Sequence, residues 1–325
     1  VITEKNPLPF ITGTICAHAC MGKCTRNFYE DPVHIREMKK VAADNGYDAL
    51  IAKLSAPAVT KEGKAAVVGG GPAGMAAAYF LRRAGMAVTL FEKKSALGGV
   101  VRHVIPEFRI PGTSIDKDAA LLEKIGVEIR TNTEITSVEA LKGEGYTNVV
   151  LAVGAYKPGN VRLEAGEAVN ALKFLEEFKA KDGNLDLGKV VAVIGGGNTA
   201  MDTARAAKRT KGVEKVSLVY RRTKRYMPAD EEELVMAVED GVEFMELLAP
   251  VIAENGKLIC KVMELGEPDA SGRRGVNETE EIREIPADTV IAAVGEKVPE
   301  EFYQANGLNV NERGRAFVNE DTCES

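Results

Sequence analysis

The residues best suited to chemistry fall in three places. Cys16, Cys20 and Cys24 stand four residues apart. Thiolates at that spacing can converge on iron, although one cubane cluster needs four ligands. The same spacing also lines ordinary core thiols along one helix face. Further on, Gly69, Gly71 and Gly74 follow the apolar run 65–68, with Pro72 and Ala73 between them. Gly195, Gly197 and Ala200 follow the apolar run 190–194, with Asn198 and Thr199 between them. Each group lies between a strand pattern and an Ala-rich helical pattern. There the first glycine makes the tight turn, the second lets backbone N–H groups approach a pyrophosphate, and the third position lets helix and strand pack closely. The positive end of the helix favours the anion.

The residues beyond each turn tell the two sites apart. The strand 87–91 ends at Glu92, 18 residues beyond Gly74, where a carboxylate accepts both hydroxyls of an adenosine ribose. Lys93 adjoins it, and the pair Gly98-Gly99 leaves room for a long cofactor tail, a feature of flavin sites. The strand 215–220 ends instead in Arg221 and Arg222, with Arg225 close by. A carboxylate there would repel a 2′-phosphate, whereas guanidinium groups bind one. NADP(H) is therefore expected over NAD(H). Two unlike dinucleotide sites imply hydride transfer between a nicotinamide and a flavin, which needs little from side chains. No catalytic acid or base is assigned. His103 reads as a packing or flavin-edge residue.

These residues need parallel βαβ units to position them, and the pattern supplies two copies. Each copy opens with strand, glycine turn and helix. Each closes alike: Ala152-Val153-Gly154 has Pro158 four residues after its glycine, and Ala293-Val294-Gly295 has Pro299 in the same place. Ahead of the first copy, residues 1–60 carry the cysteines and then Val33, Ile35, Met38, Val41 and Ala42 at near-helical spacing, an expected amphipathic helix. Residues 55–63 are small and polar and read as a linker. The 325 residues carry 45% hydrophobic and 28% charged side chains, which allows a large core without disulfides. The net charge of −6 argues against an electrostatic nucleic-acid binder. No apolar run is long enough to span a membrane. Five cysteines, three of them crowded together, suit a reducing, cytoplasmic location rather than a secreted disulfide framework.

At these motifs the chain resembles the glutamate synthase small-subunit-like family of FAD/NADPH oxidoreductases, which includes the flavin–NADPH half of dihydropyrimidine dehydrogenase. Within that group it most resembles flavoprotein subunits named for selenate reduction. The resemblance rests on residues 6–13, 69–74, 98–111, 195–202, 220–229 and 264–269. It implies FAD in the first site and NADPH in the second, with Val100, Arg109 and Ile135 near the flavin nucleotide and Arg221, Arg222 and Arg225 at the NADPH phosphate. It also implies that Cys16, Cys20 and Cys24 are ligands to 4Fe-4S clusters in the full-length protein, the other ligands lying upstream. The family's non-cysteine ligand falls at Lys39.

The implied fold is α/β: two Rossmann-like, three-layer ββα dinucleotide-binding domains, the second inserted in the first, preceded by a small helical segment of iron–sulfur type. The expected domains are residues 1–60 (partial iron–sulfur type), 61–160 (FAD-binding, first part), 161–292 (NADPH-binding) and 293–325 (return into the FAD domain). The expected function is an enzyme, an NADPH-dependent flavin oxidoreductase module passing electrons from NADPH through FAD to clusters and a fused or docked partner. The chain reads as a fragment of a longer polypeptide, in which no intact cluster is expected and FAD is held weakly. The alternatives are a non-catalytic nucleotide-binding fragment and an FAD disulfide reductase. The second needs a redox cysteine pair, and Cys260 and Cys323 are isolated in sequence.

Overall fold

Short apolar runs ending in glycine become parallel strands, because their side chains are buried on both faces. The computed structural model describes residues 2–159, 161–270 and 274–325. It divides into one unit of Val1–Tyr156 with Val298–Ser325 and another of Lys157–Lys297.

In the first unit a parallel sheet runs in the order Glu128–Arg130, Ala87–Phe91, Lys64–Val68, Asn148–Leu151. Helices Pro72–Arg83 and Gly112–Lys124 bury Met75, Ala78, Tyr79, Ile115, Leu121 and Leu122 against Val67 and Leu90. The return segment packs back onto the same unit. Asn306 Oδ1 accepts the Val138 N–H at 2.6 Å, and Phe302 joins a cluster with Phe91, Leu141 and Tyr146.

The amino-terminal residues pack onto this unit. Leu8 and Ile11 belong to the core of this same unit. Asp118, fully buried on helix Gly112–Lys124, accepts the N–H of Phe10 at 3.2 Å and of Ile11 at 2.7 Å, in the first turn of helix Pro9–Ile15. It is a helix cap supplied from another element. Burial pushes the Asp118 carboxyl up to about 7, against the pull of the Ile11 and Phe10 amides and of Lys39. The folded state then binds more protons than the unfolded chain between the ordinary carboxylate range and neutrality. Stability from this group is therefore lost as pH rises through that window. Urea midpoints measured across it should fall with pH in the wild type, and Asp118→Asn should flatten the slope; an unchanged slope in the variant would contradict the assignment.

One expectation is corrected. The helix is Ile35–Lys53, but Val33, Ile35, Met38 and Val41 are exposed, at 42–59%. Its packed side is Ala43, with Tyr47, Leu50 and Ile51 behind it. Gly13 lies at that contact: a Cβ there would be 3.0 Å from Lys40 Cβ and 3.2 Å from Lys40 Cα, so the two helices meet closely at a glycine. The linker is held by hydrogen bonds at several points. Buried Arg82 donates to Pro57 O at 2.6 Å and to Gly126 O at 3.1 Å, while Thr60 and Lys61 donate N–H groups to Gly85 O.

The second unit layers a parallel sheet on an antiparallel one. The parallel order is Val242–Met245, Lys215–Val219, Val190–Ile194, Thr289–Ala292, Val169–Asn170. In the antiparallel sheet Arg274–Pro286, Lys257–Pro268 and Leu248–Glu254 pair in turn, and Ala165–Gly166 adds to the edge. Ala192, Ile194, Leu258, Cys260 and Ile285 fill the space between the sheets.

The duplication extends to individual backbone bonds. Gly69 N–H donates to Phe91 O at 2.8 Å, and Gly195 N–H to Val219 O at 3.0 Å. Ala152 N–H donates to Val68 O at 2.8 Å, and Ala293 N–H to Ile194 O at the same distance. In both units the glycine turn opens at the carboxyl ends of parallel strands, on the strand where the sheet order reverses. Ligands of doubly wound sheets bind at that point.

Candidate functional site

In the first turn the glycines divide by what surrounds them. Gly69 has φ +108°, and a Cβ on it would meet Ala152 O at 2.3 Å. A Cβ on Gly74 would meet Gly69 O at 1.8 Å. Both are fixed by the protein itself. Gly71 is different: the nearest atom to a Cβ there is Gly99 Cα, at 3.9 Å. Gly71 also starts helix Pro72–Arg83, with Pro72 in the first turn and no side-chain cap. The first amides of a helix have no intrahelical partner, so an uncapped start beside an open glycine fits a diphosphate. Ala73, next in that turn, is exposed.

Glu92 does more than the sequence suggests. Its Oε2 accepts the Gly70 N–H at 2.7 Å and its Oε1 accepts the Lys94 N–H at 2.8 Å, in a side chain 6% exposed. Each carboxylate oxygen keeps acceptor capacity for a ribose hydroxyl, but the group also braces the turn. Glu92→Ala should lower stability by about 1–3 kcal/mol through the orphaned Gly70 N–H. A denaturant melt without any nucleotide separates this bracing role from ribose binding.

Gly98 and Gly99, at φ +121° and +53°, fold onto the first turn. Gly98 N–H donates to Gly70 O at 2.7 Å, and a Cβ on Gly99 would lie 2.9 Å from Gly71 Cα. The second glycine pair thus lets two backbone turns stack.

Val100 opens the short helix Val100–His103. Arg109 is half-buried, its N–H donating to Pro106 O at 3.0 Å, and Ile135 packs beside Phe91 and Tyr146. Gly154 is exposed at φ +74° with nothing near a Cβ. Lys93 is directed elsewhere, 3.9 Å from Glu134 with both side chains exposed. Burial holds His103 below the usual imidazole range, and a ring nitrogen lies 3.2 Å from Ala96 O.

The second turn repeats the logic. A Cβ on Gly195, at φ +153°, would meet Ala293 O at 2.5 Å. One on Gly196 would strike the Tyr220 ring at 2.4 Å, and one on Gly197 would meet nothing within 4 Å. Helix Asn198–Arg209 begins at Gly197 without a side-chain cap. Ala200, fully buried, holds the position that Gly74 holds in the first copy.

The side chains of Asn198 and Thr199 are engaged within the protein. Asn198 exchanges hydrogen bonds with Asp230, and Thr199 Oγ1 donates to Glu296 Oε1 at 3.0 Å. What they leave free is the backbone of the helix start.

A cavity of 550 Å³ opens beside this turn, lined by Gly195, Gly196, Gly197, Thr199, Tyr220, Arg221, Arg222, Ala293 and Gly295 among others. Arg222 Nε is buried there with no hydrogen-bond partner. An orphaned guanidinium nitrogen is costly, and an anion in the cavity would satisfy it. Arg225 does not reach the cavity wall; it is exposed, with its guanidinium 6.0 Å from the Tyr226 ring. Two charged residues absent from the sequence motifs do line the wall, Arg162 and Glu296. Glu296 follows directly on the Ala-Val-Gly close, a readable signal. Arg162 belongs to no motif.

The cysteines behave differently. Cys16 ends helix Pro9–Ile15, Cys20 is exposed in Ala19–Gly22, and Cys24 precedes Thr25–Phe28. The backbone amides of Val33 and Arg26 draw the Cys24 thiol below its ordinary range. Among the described residues no three such side chains gather into a metal site, and a cubane needs four ligands. All five cysteines are free, and burial pushes the Cys260 thiol up to about 12. Among the described residues nothing forms the redox pair of a disulfide reductase.

Known proteins bear on both parts of the chain. Residues 1–50 match the 4Fe-4S cluster domain II of dihydropyrimidine dehydrogenase. The protein YgfK of Escherichia coli K12, described as an oxidoreductase, is 44% identical over 97% of this chain, which spans only 31% of that protein. The small chain of NADPH glutamate synthase from Halomonas elongata is 33% identical over 98% of this chain and 72% of its own length. The crystal structure of T. acidophilum thioredoxin reductase shares the fold at a TM-score of 0.56 and 18% identity, covering 79% of this chain and 85% of that one. The pattern of the pyridine nucleotide-disulphide oxidoreductases covers residues 63–325. Because that match runs through both glycine turns and through both parallel sheets, the chain belongs to the pyridine nucleotide-disulphide oxidoreductase family.

Proposed function

We propose that the chain is an NADPH-dependent flavin oxidoreductase module, with FAD on the first glycine turn and NADPH on the second. One observation carries the reading: two uncapped helix starts, one beside Gly71, whose Cβ position meets only Gly99 Cα at 3.9 Å, and followed by Glu92, the other beside Gly197, which faces open space, and followed by Arg221 and an unsatisfied Arg222. Gly69, Gly71, Pro72, Ala73 and Gly74 would hold the FAD diphosphate and Glu92 its ribose. Gly98, Gly99, Val100, Arg109, Ile135, Ala152 and Gly154 would line the rest, with Lys93 at the rim. Gly195, Gly197, Asn198, Thr199 and Ala200 would hold the NADPH diphosphate, Arg221 and Arg222, with Arg225 nearby, its 2′-phosphate, and Ala293 and Gly295 the far wall.

FAD, when bound, accepts hydride from a nicotinamide and can release electrons singly. The chain's own part is to bind, orient and exclude water, and no side chain need move a proton. The cysteine segment is read as supplying Cys16, Cys20 and Cys24 to 4Fe-4S ligand sets that other cysteines complete.

The whole protein is read as one subunit or domain of a larger assembly that supplies the terminal acceptor, as the small chain of glutamate synthase is named. Selenate is the acceptor suggested by resemblance, and a cytoplasmic location suits five free thiols. Steady-state reduction of ferricyanide by the FAD-loaded chain tests the module. NADPH should support it and NADH only weakly. Equal rates would remove the case for a 2′-phosphate at Arg221 and Arg222, and no rate with either would leave only a nucleotide-binding fragment.

A further inference from the structure

Building on the reading of the second turn as the NADPH site, we infer that Arg162 is a third guanidinium for the adenosine 2′-phosphate and helps set selectivity for NADPH over NADH. Arg162 lines the same cavity as Arg221 and Arg222. None of the three guanidinium groups has a hydrogen-bond or ion-pair partner among the described residues, and Arg222 Nε is buried without one. Among the described residues the one carboxylate on the wall, Glu296, accepts from Thr199.

Three cations and one carboxylate leave a net positive wall that calls for an anion. The helix start at Gly197 already offers N–H groups to a diphosphate. A 2′-phosphomonoester, with three acceptor oxygens and close to two negative charges, is the group that needs several guanidiniums.

The chain path puts Arg162 at the adenosine end. Val161 and Leu163 pack into the hydrophobic cluster with Val219 and Leu248, so the residue between them is turned out of that core. Glu164 N–H donates to Val251 O at 2.8 Å, and Leu248 N–H donates to Tyr220 O at 3.1 Å. Arg162 is therefore tied to the strand edge that adjoins Tyr220, from which Arg221 and Arg222 emerge. Being exposed, it can be removed without disturbing packing.

Calorimetric titration of the FAD-loaded chain with adenosine 2′,5′-bisphosphate and with 5′-AMP tests this. Arg162→Ala should weaken the bisphosphate by roughly 10–100-fold, the loss of one charge-assisted contact, and leave 5′-AMP nearly unchanged. Arg162→Lys should recover part of the loss, since an ammonium keeps the charge but not the planar fork. Equal weakening of both ligands, or none, would overturn the inference. Arg222→Ala run in parallel separates the two readings. If it weakens the bisphosphate and Arg162→Ala does not, only the role of Arg162 falls. If neither variant responds to the 2′-phosphate, the NADPH reading falls with it.

Discussion

Gly197→Val is expected to fold like the wild type, keep its flavin, and lose NADPH oxidation by more than about 100-fold. A Cβ at Gly197 meets no atom within 4 Å, and its backbone, at φ −98° and ψ 174°, is one that valine adopts readily. No native contact is lost. What the isopropyl group fills is the space through which a diphosphate would reach the first amides of helix Asn198–Arg209. Gly74→Ala makes the opposite case. Its Cβ would sit 1.8 Å from Gly69 O, so the strand and helix must part, at a cost of roughly 1–3 kcal/mol in stability. Melting curves with NADPH oxidation rates on both variants distinguish a glycine kept for a ligand from one kept for packing. If Gly197→Val retained full activity, the second turn would not be a diphosphate site.

The second large effect is on cofactor choice. Arg221→Ala combined with Arg222→Ala should lower kcat/KM for NADPH by roughly 10²–10⁴, two charge-assisted contacts at about 1.5–3 kcal/mol each. NADH, lacking the 2′-phosphate, should change little, so the preference collapses or inverts. The thermal midpoint of the free protein should hold or rise, because Arg222 Nε is buried without a partner and its removal relieves a desolvated polar group. Parallel loss with both nucleotides would mean the arginines shape the cavity rather than read the phosphate.

Much of this was legible in the sequence because the fingerprint is local. Turn, helix start and candidate ribose carboxylate lie within a few dozen residues, and the same short spacing carries Arg221 and Arg222. What was not legible depends on contacts between distant residues. The apolar spacing of Val33, Ile35, Met38 and Val41 announces a helix with a face but not which face is covered. Gly13, more than twenty residues earlier, lies at the covered contact, against the backbone at Lys40. Asp118 gives no sign in sequence that it caps helix Pro9–Ile15, over a hundred positions away. Glu92 was readable as a ribose ligand but not as the brace of Gly70, since nothing in the spacing says that one carboxylate oxygen turns back to the loop. Arg162 sits in an irregular stretch with no periodicity, and only the cavity wall reveals it.

On this account two different dinucleotides meet one chain, and electrons pass from the nicotinamide to the flavin. Anaerobic titration of the FAD-loaded chain, monitored by flavin absorbance, tests it most directly. Near-stoichiometric NADPH should bleach the flavin fully, and NADH should do so only at much higher concentration. A flavin that stays oxidised under excess NADPH, while both nucleotides are shown to be bound, would contradict the account.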